Sequence, residues 1–78
     1  MVKIPVYVKD LYDAKHLVQV AESCKGEVDL LCGRYVVNAK SMLGVFSLPN
    51  LEDMELSVME DEAENIRGKL ETLNLIRK

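Results

Sequence analysis

The chain has 78 residues, of which 49% are hydrophobic, and a formal net charge of −3. This length suffices for one domain with a small core, and the sequence contains neither an apolar run of membrane length nor the apolar segment of a signal peptide. Because its lysines and arginines are scattered, a surface for nucleic acid or anionic membranes is not expected. We therefore expect a single cytoplasmic domain over residues 1–78.

The first strand and the first helix have clear sequence signatures. Residues 2–8 alternate between apolar and other side chains, which is typical of a strand buried on one side. Pro5 lies within this strand and cannot donate to a ladder, so its nitrogen should face away from a partner strand. Asp10 is a suitable N-cap for a helix over residues 11–23. Gly26 is expected to end this helix in a left-handed conformation.

Residues 28–39 predict a β-hairpin. Apolar residues alternate on both sides of Gly33-Arg34, a pair that fits a two-residue turn with glycine first. A register in which Cys32 faces Tyr35 places the inward candidates of both strands on one face without adjustment.

The same register puts Leu31 opposite Val36 on the other face of the hairpin. A solvated sheet face prefers polar residues at such positions, so the apolar pair indicates a contact surface. Together with Tyr7, it supports one alternative interpretation, in which the chain is a structural subunit that forms homo-oligomers.

The stretch over residues 38–48 crowds apolar side chains into a span too short for an ordinary helix and with the wrong period for a strand. Ser41 is a good N-cap, and Gly44 keeps the helical turns that follow short. We expect one or two turns in which three side chains are only partly buried: Met42, Leu43 and Phe46.

The last elements are a turn at Pro49-Asn50, a strand over residues 54–58 and a final helix. Residues 61–64 look like the start of a capping box for that helix. Gly68 lies inside it at a cost of about 1 kcal/mol relative to alanine, which close packing would explain.

The resulting order is strand, helix, strand, strand, short helix, strand, helix. This order predicts an α+β open-faced sandwich, with helices on one face of a four-stranded antiparallel sheet. The cysteines, Cys24 and Cys32, lack a CxxC spacing, so we expect reduced thiols in or near the core and neither a disulfide nor a metal site. No cofactor is expected.

The central stretch resembles HPr, the histidine-containing phosphocarrier of the bacterial sugar phosphotransferase system. Residues 38–48 read Asn-Ala-Lys-Ser-Met-Leu-Gly-Val-Phe-Ser-Leu, and in that family a similar Lys-Ser-(Ile/Met)-(Leu/Met)-Gly-Val-Met-Ser-Leu run surrounds a regulatory serine and a short second helix. The match continues without gaps from Asp10 to Leu48. The resemblance implies an HPr-like fold of order β-α-β-β-α-β-α, possible phosphorylation of Ser41, and an apolar docking patch formed by Met42, Leu43 and Phe46.

The chain departs from that family at the phosphoacceptor. The family motif Gly-(Leu/Ile)-His-Ala-Arg-Pro-Ala places the histidine at Asp10 and the arginine at Tyr12. Phosphoryl transfer through HPr needs an imidazole nucleophile, helix N–H groups and a nearby arginine, and both side chains are missing here. The single histidine, His16, lies six residues past the cap and is interpreted as a surface or boundary residue.

We therefore expect an HPr-like binding or regulatory protein that is not an enzyme. The expected partners are proteins, such as phosphotransferase-system enzymes, HPr kinase or a transcription regulator. Two other functions stay open besides the oligomeric subunit: an active phosphocarrier and a regulator phosphorylated on Ser41. The expected partner-binding residues are Tyr12, Lys15, Met42, Leu43 and Phe46.

Overall fold

A computed structural model describes residues 1–48 and 53–77. The elements are β1 (Val2–Val6), α1 (Leu11–Glu22), β2 (Asp29–Cys32), β3 (Tyr35–Asn38), α2 (Met42–Phe46), β4 (Met54–Val58) and α3 (Glu60–Thr72). The α+β class and the predicted order of the elements are confirmed. The predicted turn at Pro49-Asn50 lies outside the described residues.

The strands form one antiparallel sheet in the order β1-β4-β2-β3. Ile4, Leu56 and Leu30 face one another across β1, β4 and β2, and all are fully buried. Lys3 and Glu55, which alternate with them, are exposed and partly buried, respectively. One face of the sheet therefore carries the core, to which the helices contribute Ala14, Leu17, Val18, Ala21, Ile66 and Leu70.

The hairpin of β2 and β3 has the predicted register. Cys32 pairs with Tyr35, and Leu31 pairs with Val36. Gly33 has a φ of +60°, and it is the only glycine of the described residues with a positive φ. A positive φ at the first turn position alone is typical of a type II′ turn, which suits the right-handed twist of the strands.

The C-terminus of α3 leads the chain back to β1. Asn74 is left-handed (φ 60°), and the Leu75 N–H donates to the Leu70 carbonyl at 2.8 Å. These are the features of a Schellman motif, in which the residue after the left-handed one packs on the last turn. Leu70 and Leu75 are both fully buried. An asparagine just past the helix is the sequence signal for this motif, but the sequence analysis did not predict the motif.

The segment after Asn74 lies along the outer edge of β1. The Tyr7 N–H donates to the Leu75 carbonyl at 2.7 Å, and the Arg77 N–H donates to the Pro5 carbonyl at 3.2 Å. In an antiparallel strand the nitrogen and the carbonyl of one residue point to the same side. The Pro5 nitrogen therefore faces away from β4, as predicted.

Gly26 was expected to end α1 in a left-handed conformation, and this prediction is wrong. The helix ends at Ser23, an ordinary right-handed C-cap with a φ of −76°. A Cβ on Gly26 would instead lie 2.8 Å from Cγ of Met59 and 3.2 Å from Oε2 of Glu62. The glycine thus leaves room for the side chains of Met59 and Glu62 at the start of α3.

Two predictions about α3 are also wrong. The helix starts at Glu60, and its N-cap, Met59, makes no side-chain cap hydrogen bond. The expected capping box over residues 61–64 therefore does not form, because Asp61 and Glu64 already lie inside the helix. Gly68 is exposed, and a Cβ there would meet nothing within 4 Å, so close packing does not explain it.

Candidate functional site

The N-terminus of α1 is capped by its own carboxylates. Asp10 has an extended backbone, and its Oδ1 accepts the Asp13 N–H at 3.0 Å, which makes it the N-cap that the sequence indicates. The Asp13 carboxylate in turn accepts the Lys9 N–H at 3.2 Å. Two acidic side chains therefore hold the start of the helix, in the reciprocal manner of a capping box.

This arrangement is unfavourable for a phosphate. Helix N-termini bind anions through free N–H groups and the positive end of the helix dipole. Here Asp10 already occupies the Asp13 N–H, and both carboxylates would repel a second anion. Tyr12, which stands where the resemblance expects an arginine, supplies no positive charge.

His16 lies in the second turn of α1, away from the helix start. Its ring packs edge-to-face on Tyr12, with centroids 4.5 Å apart and planes at 87°. Tyr12 is 67% exposed and Lys15 is exposed. The structure therefore brings the histidine to the tyrosine one turn before it, and not to the free N–H groups of the first turn.

The N-terminus of α2 is capped by Ser41. Its Oγ accepts the Gly44 N–H at 3.2 Å, and its own N–H donates to the Asn38 carbonyl at 2.9 Å. A Cβ on Gly44 would lie 3.3 Å from this Oγ and 3.7 Å from Cβ of Val37. Gly44 thus allows a close approach of α2 to the serine and to β3, a reason that the sequence analysis did not give.

Exposed apolar side chains lie on both α1 and α2, and these two helices pack against each other. Val45 anchors α2 in the core and is only 1% exposed. Leu43, by contrast, is 85% exposed, which is more than the partial burial we expected. We call the exposed apolar residues of the two helices the helical apolar surface: Leu11, Tyr12, Met42, Leu43 and Phe46.

The three residues proposed for oligomer contact do not share one edge of the sheet. Leu31 and Val36 pair on the open face at the β3 side, and Val36 is 64% exposed. Tyr7 follows β1, at the opposite edge. With strands about 4.8 Å apart, the two edges lie roughly 14 Å from each other.

The most elaborate polar contact involves a residue that the sequence analysis missed. The Glu62 carboxylate accepts the Lys25 N–H at 2.7 Å and the Gly26 N–H at 3.1 Å. These hydrogen bonds lower the pKa of Glu62, with a smaller contribution from the positive charges of Lys40 and Lys25. We call this contact the Glu62 clamp, because it ties α3 to the loop between α1 and β2.

Two lysines strengthen the same junction. Lys40 Nζ donates to the Cys24 carbonyl at 2.9 Å, and Lys69 Nζ donates to Ser23 Oγ at 2.9 Å. No short-range sequence pattern predicts these contacts, since their partners are 16 and 46 residues apart along the chain.

Cys24 and Cys32 are buried thiols, as predicted. Burial raises the pKa of the Cys24 thiol, and the nearby Glu62 carboxylate raises it further. A thiol with a raised pKa is a weak nucleophile, so Cys24 behaves as a core residue.

The described part of the chain offers no obvious metal centre. Within residues 1–48 and 53–77, no cluster of three or more histidine, cysteine, aspartate or glutamate side chains could hold a metal ion. No helix of those residues combines the length and the apolar character needed to cross a membrane.

Comparison of the chain with protein-family models, with curated proteins and with solved structures finds no match. The resemblance to HPr therefore stays a prediction from residues 38–48 and from the order of the elements.

Proposed function

We propose that the chain is an HPr-like binding or regulatory module without histidine phosphocarrier chemistry. The observation that carries this proposal is the first turn of α1, where Asp10 accepts the Asp13 N–H and Asp13 accepts the Lys9 N–H. The resemblance to HPr would put the phosphoryl group at this turn. A carboxylate that caps its own helix stabilises the fold, occupies the Asp13 N–H and supplies no nucleophilic imidazole.

The phosphocarrier part of the proposal is tested with enzyme I and phosphoenolpyruvate. We expect no phosphoryl group on the chain by intact-mass spectrometry, while an authentic HPr in a parallel reaction gains one. A stable phosphoryl group on His16 or Asp10 would contradict the proposal. Because a phosphorylated histidine survives alkali whereas an acyl phosphate is hydrolysed by it, treatment with alkali would distinguish the acceptors.

The binding part of the proposal relies on the helical apolar surface. Exposed apolar clusters that are larger than scattered single residues mark protein contacts, and methionine suits surfaces that adapt to a partner. Leu43 is the best residue to test, because its side chain is 85% exposed and contributes little to the core.

Calorimetric titration with enzyme I and with HPr kinase tests this surface. We expect Leu43→Glu to weaken binding at least about tenfold, since it would bury an unpaired charge in the contact. The matched control is Tyr7→Glu, which adds the same charge at an exposed position outside both β3 and the helical apolar surface. Equal affinities for wild type and Leu43→Glu would contradict the docking role of the surface.

Phosphorylation of Ser41 is a second candidate function, favoured by one observation. Ser41 Oγ lies at the N-cap of α2, and the residue is partly exposed to solvent. A phosphate on this oxygen would meet the N–H groups of the first turn. Incubation with HPr kinase and ATP is expected to modify the wild type and to leave Ser41→Ala unmodified. Modification of both proteins to the same extent would exclude this serine.

A further inference from the structure

The two edges of the sheet are protected to different degrees. The β1 edge contains Pro5 and is covered by the segment after Asn74, which donates to it through the Arg77 N–H. The β3 edge is the four-residue run Tyr-Val-Val-Asn, which contains no proline, no lysine and no acidic residue. Natural sheets usually place such residues on an open edge, because an unprotected edge pairs with another strand.

Among residues 1–48 and 53–77, no strand pairs with β3 on its outer side, and the main-chain groups of Val36 point toward this open edge. In a two-residue hairpin the residues that flank the turn, Cys32 and Tyr35, form a hydrogen-bonded pair. Alternation then turns the Val36 N–H and carbonyl away from β2. The hydrogen bond from the Ala39 N–H to the Val28 carbonyl, at 2.9 Å, agrees with this alternation, because every second residue from Tyr35 onward points toward the partner strand.

The edge is complementary to itself when two copies run antiparallel about Val36. Each Val36 then lies beside its counterpart, and Leu31 lies behind it on the open face, so the apolar row continues through both copies. Because the arrangement is two-fold symmetric, every contact occurs twice.

The charges in that register are also complementary. Arg34, in the turn, lies opposite Asn38 of the second copy, and Asp29 lies next to that Asn38 on β2. An arginine side chain is long enough to reach a carboxylate one strand further on, and charge pairs across an interface fix its register. The same antiparallel shift would put no like charges opposite each other.

We propose that the chain forms a two-fold symmetric dimer by pairing β3 edge to edge with a second copy, which extends the sheet across both subunits. The proposal does not depend on the proposed function. Since one short strand contributes from each copy, the contact falls below the roughly 1,200 Å² of a standard interface, and the dimer should be weak, in the micromolar range or above.

Sedimentation velocity over concentrations from about 1 µM to about 1 mM tests the dimer. We expect the wild type to change from monomer to dimer in this range. Val36→Lys should raise the dissociation constant at least about tenfold, because two lysines would lie directly opposite each other. Val36 is 64% exposed, so this variant should fold like the wild type.

The matched control is Tyr7→Lys, which adds the same charge at the opposite edge, where Tyr7 is 49% exposed. We expect it to dimerise like the wild type. A monomer at every concentration would overturn the proposal. So would a dimer that tolerates Val36→Lys but is lost in Tyr7→Lys, which would instead place the contact at the β1 edge.

A charge exchange tests the register. Arg34→Glu and Asp29→Lys should each weaken the dimer several-fold, whereas the double variant should recover most of the wild-type affinity. A double variant that is as weak as the two single changes combined would contradict the proposed antiparallel register.

Discussion

The first turns of α1 and α3 are both acidic, but their carboxylates make contacts of different range. In α1, Asp10 accepts the N–H of Asp13, three residues along the chain. In α3, Glu62 accepts the N–H groups of Lys25 and Gly26, 37 and 36 residues away. The first contact stabilises its own helix, and the second couples a helix to a distant loop.

The difference shows that an acidic helix start has two possible uses in a small protein. A local cap needs only the residues of one turn, so it forms wherever the chain is helical. In α3 the N-cap is Met59, which makes no side-chain cap hydrogen bond, and the carboxylate of Glu62 instead fixes the position of another segment. Substitutions in the two turns should therefore change stability by different amounts. The largest change is expected where a substitution disturbs the packing of the loop, and the smallest where it removes one charge.

The largest effect is expected from Gly26→Ala. The new Cβ would lie 2.8 Å from Cγ of Met59, so this side chain must move. We expect the free energy of unfolding to fall by about 1–2 kcal/mol. This is the cost of overpacking, reduced by the small gain in stability that alanine gives by restricting the unfolded chain. Urea denaturation measures the change.

Gly68→Ala is the matched control, because a Cβ at that position of α3 meets nothing within 4 Å. It should stabilise the protein by about 0.5–1 kcal/mol, as alanine does in a helix interior. A stabilising Gly26→Ala would show that α3 does not approach the loop as closely as described. Adding Met59→Ala to Gly26→Ala should recover part of the loss.

Asp10→Ala should have the next largest effect. It removes the oxygen that accepts the Asp13 N–H and should cost about 1 kcal/mol of stability. Asp10→Ser keeps an accepting oxygen and is expected to stay close to the wild type in the same denaturation experiment. If the serine variant lost as much as the alanine variant, the cap would not be the cause.

A smaller gain is expected when α3 receives the side-chain cap that it lacks. Met59→Ser offers a hydroxyl to the first turn, and Met59→Ala removes the same methionine without one. We expect the serine variant to be more stable than the alanine variant by about 0.5 kcal/mol. Equal stabilities would mean that Glu62 and its neighbours already satisfy the start of α3.

The contacts that the sequence predicted correctly are those between neighbours in the chain. The hairpin register and the caps at Asp10 and Ser41 depend on residues within one turn, and alternation or spacing reveals them. The sequence analysis missed the Glu62 clamp because its partners are main-chain groups, which leave no side-chain pattern. For the same reason it explained Gly26 by helix termination, although the close approach of α3 is the cause.

In the candidate site, too, the sequence predicted the local contacts and missed the long-range arrangement. The positions of Asp10 and Ser41 follow from local capping, whereas the 85% exposure of Leu43 exceeds the partial burial that the sequence predicted. The separation of Tyr7 from Val36 required the strand order, which puts β4 between β1 and β2. No local pattern contains that order, because it results from how the whole core is closed.

The smallest effect is expected from Glu62→Gln, and it should depend on pH. The N–H groups of Lys25 and Gly26 hold the pKa of Glu62 below its ordinary value of 4.5. The ionised carboxylate therefore stabilises the fold above the unfolded-state pKa, and this contribution is lost as the pH falls through the folded-state pKa. Glutamine keeps an accepting oxygen but no charge, and solvent at this half-buried position screens part of the difference. The melting temperature of the variant should thus be below that of the wild type at pH 7, and the gap should be smaller at acidic pH, where the carboxylate becomes protonated. Glu64→Gln, which removes a charge from an exposed position of the same helix, should show no such closing gap. A gap of equal size at both pH values would indicate that shape, and not the carboxylate charge, holds α3 against the loop.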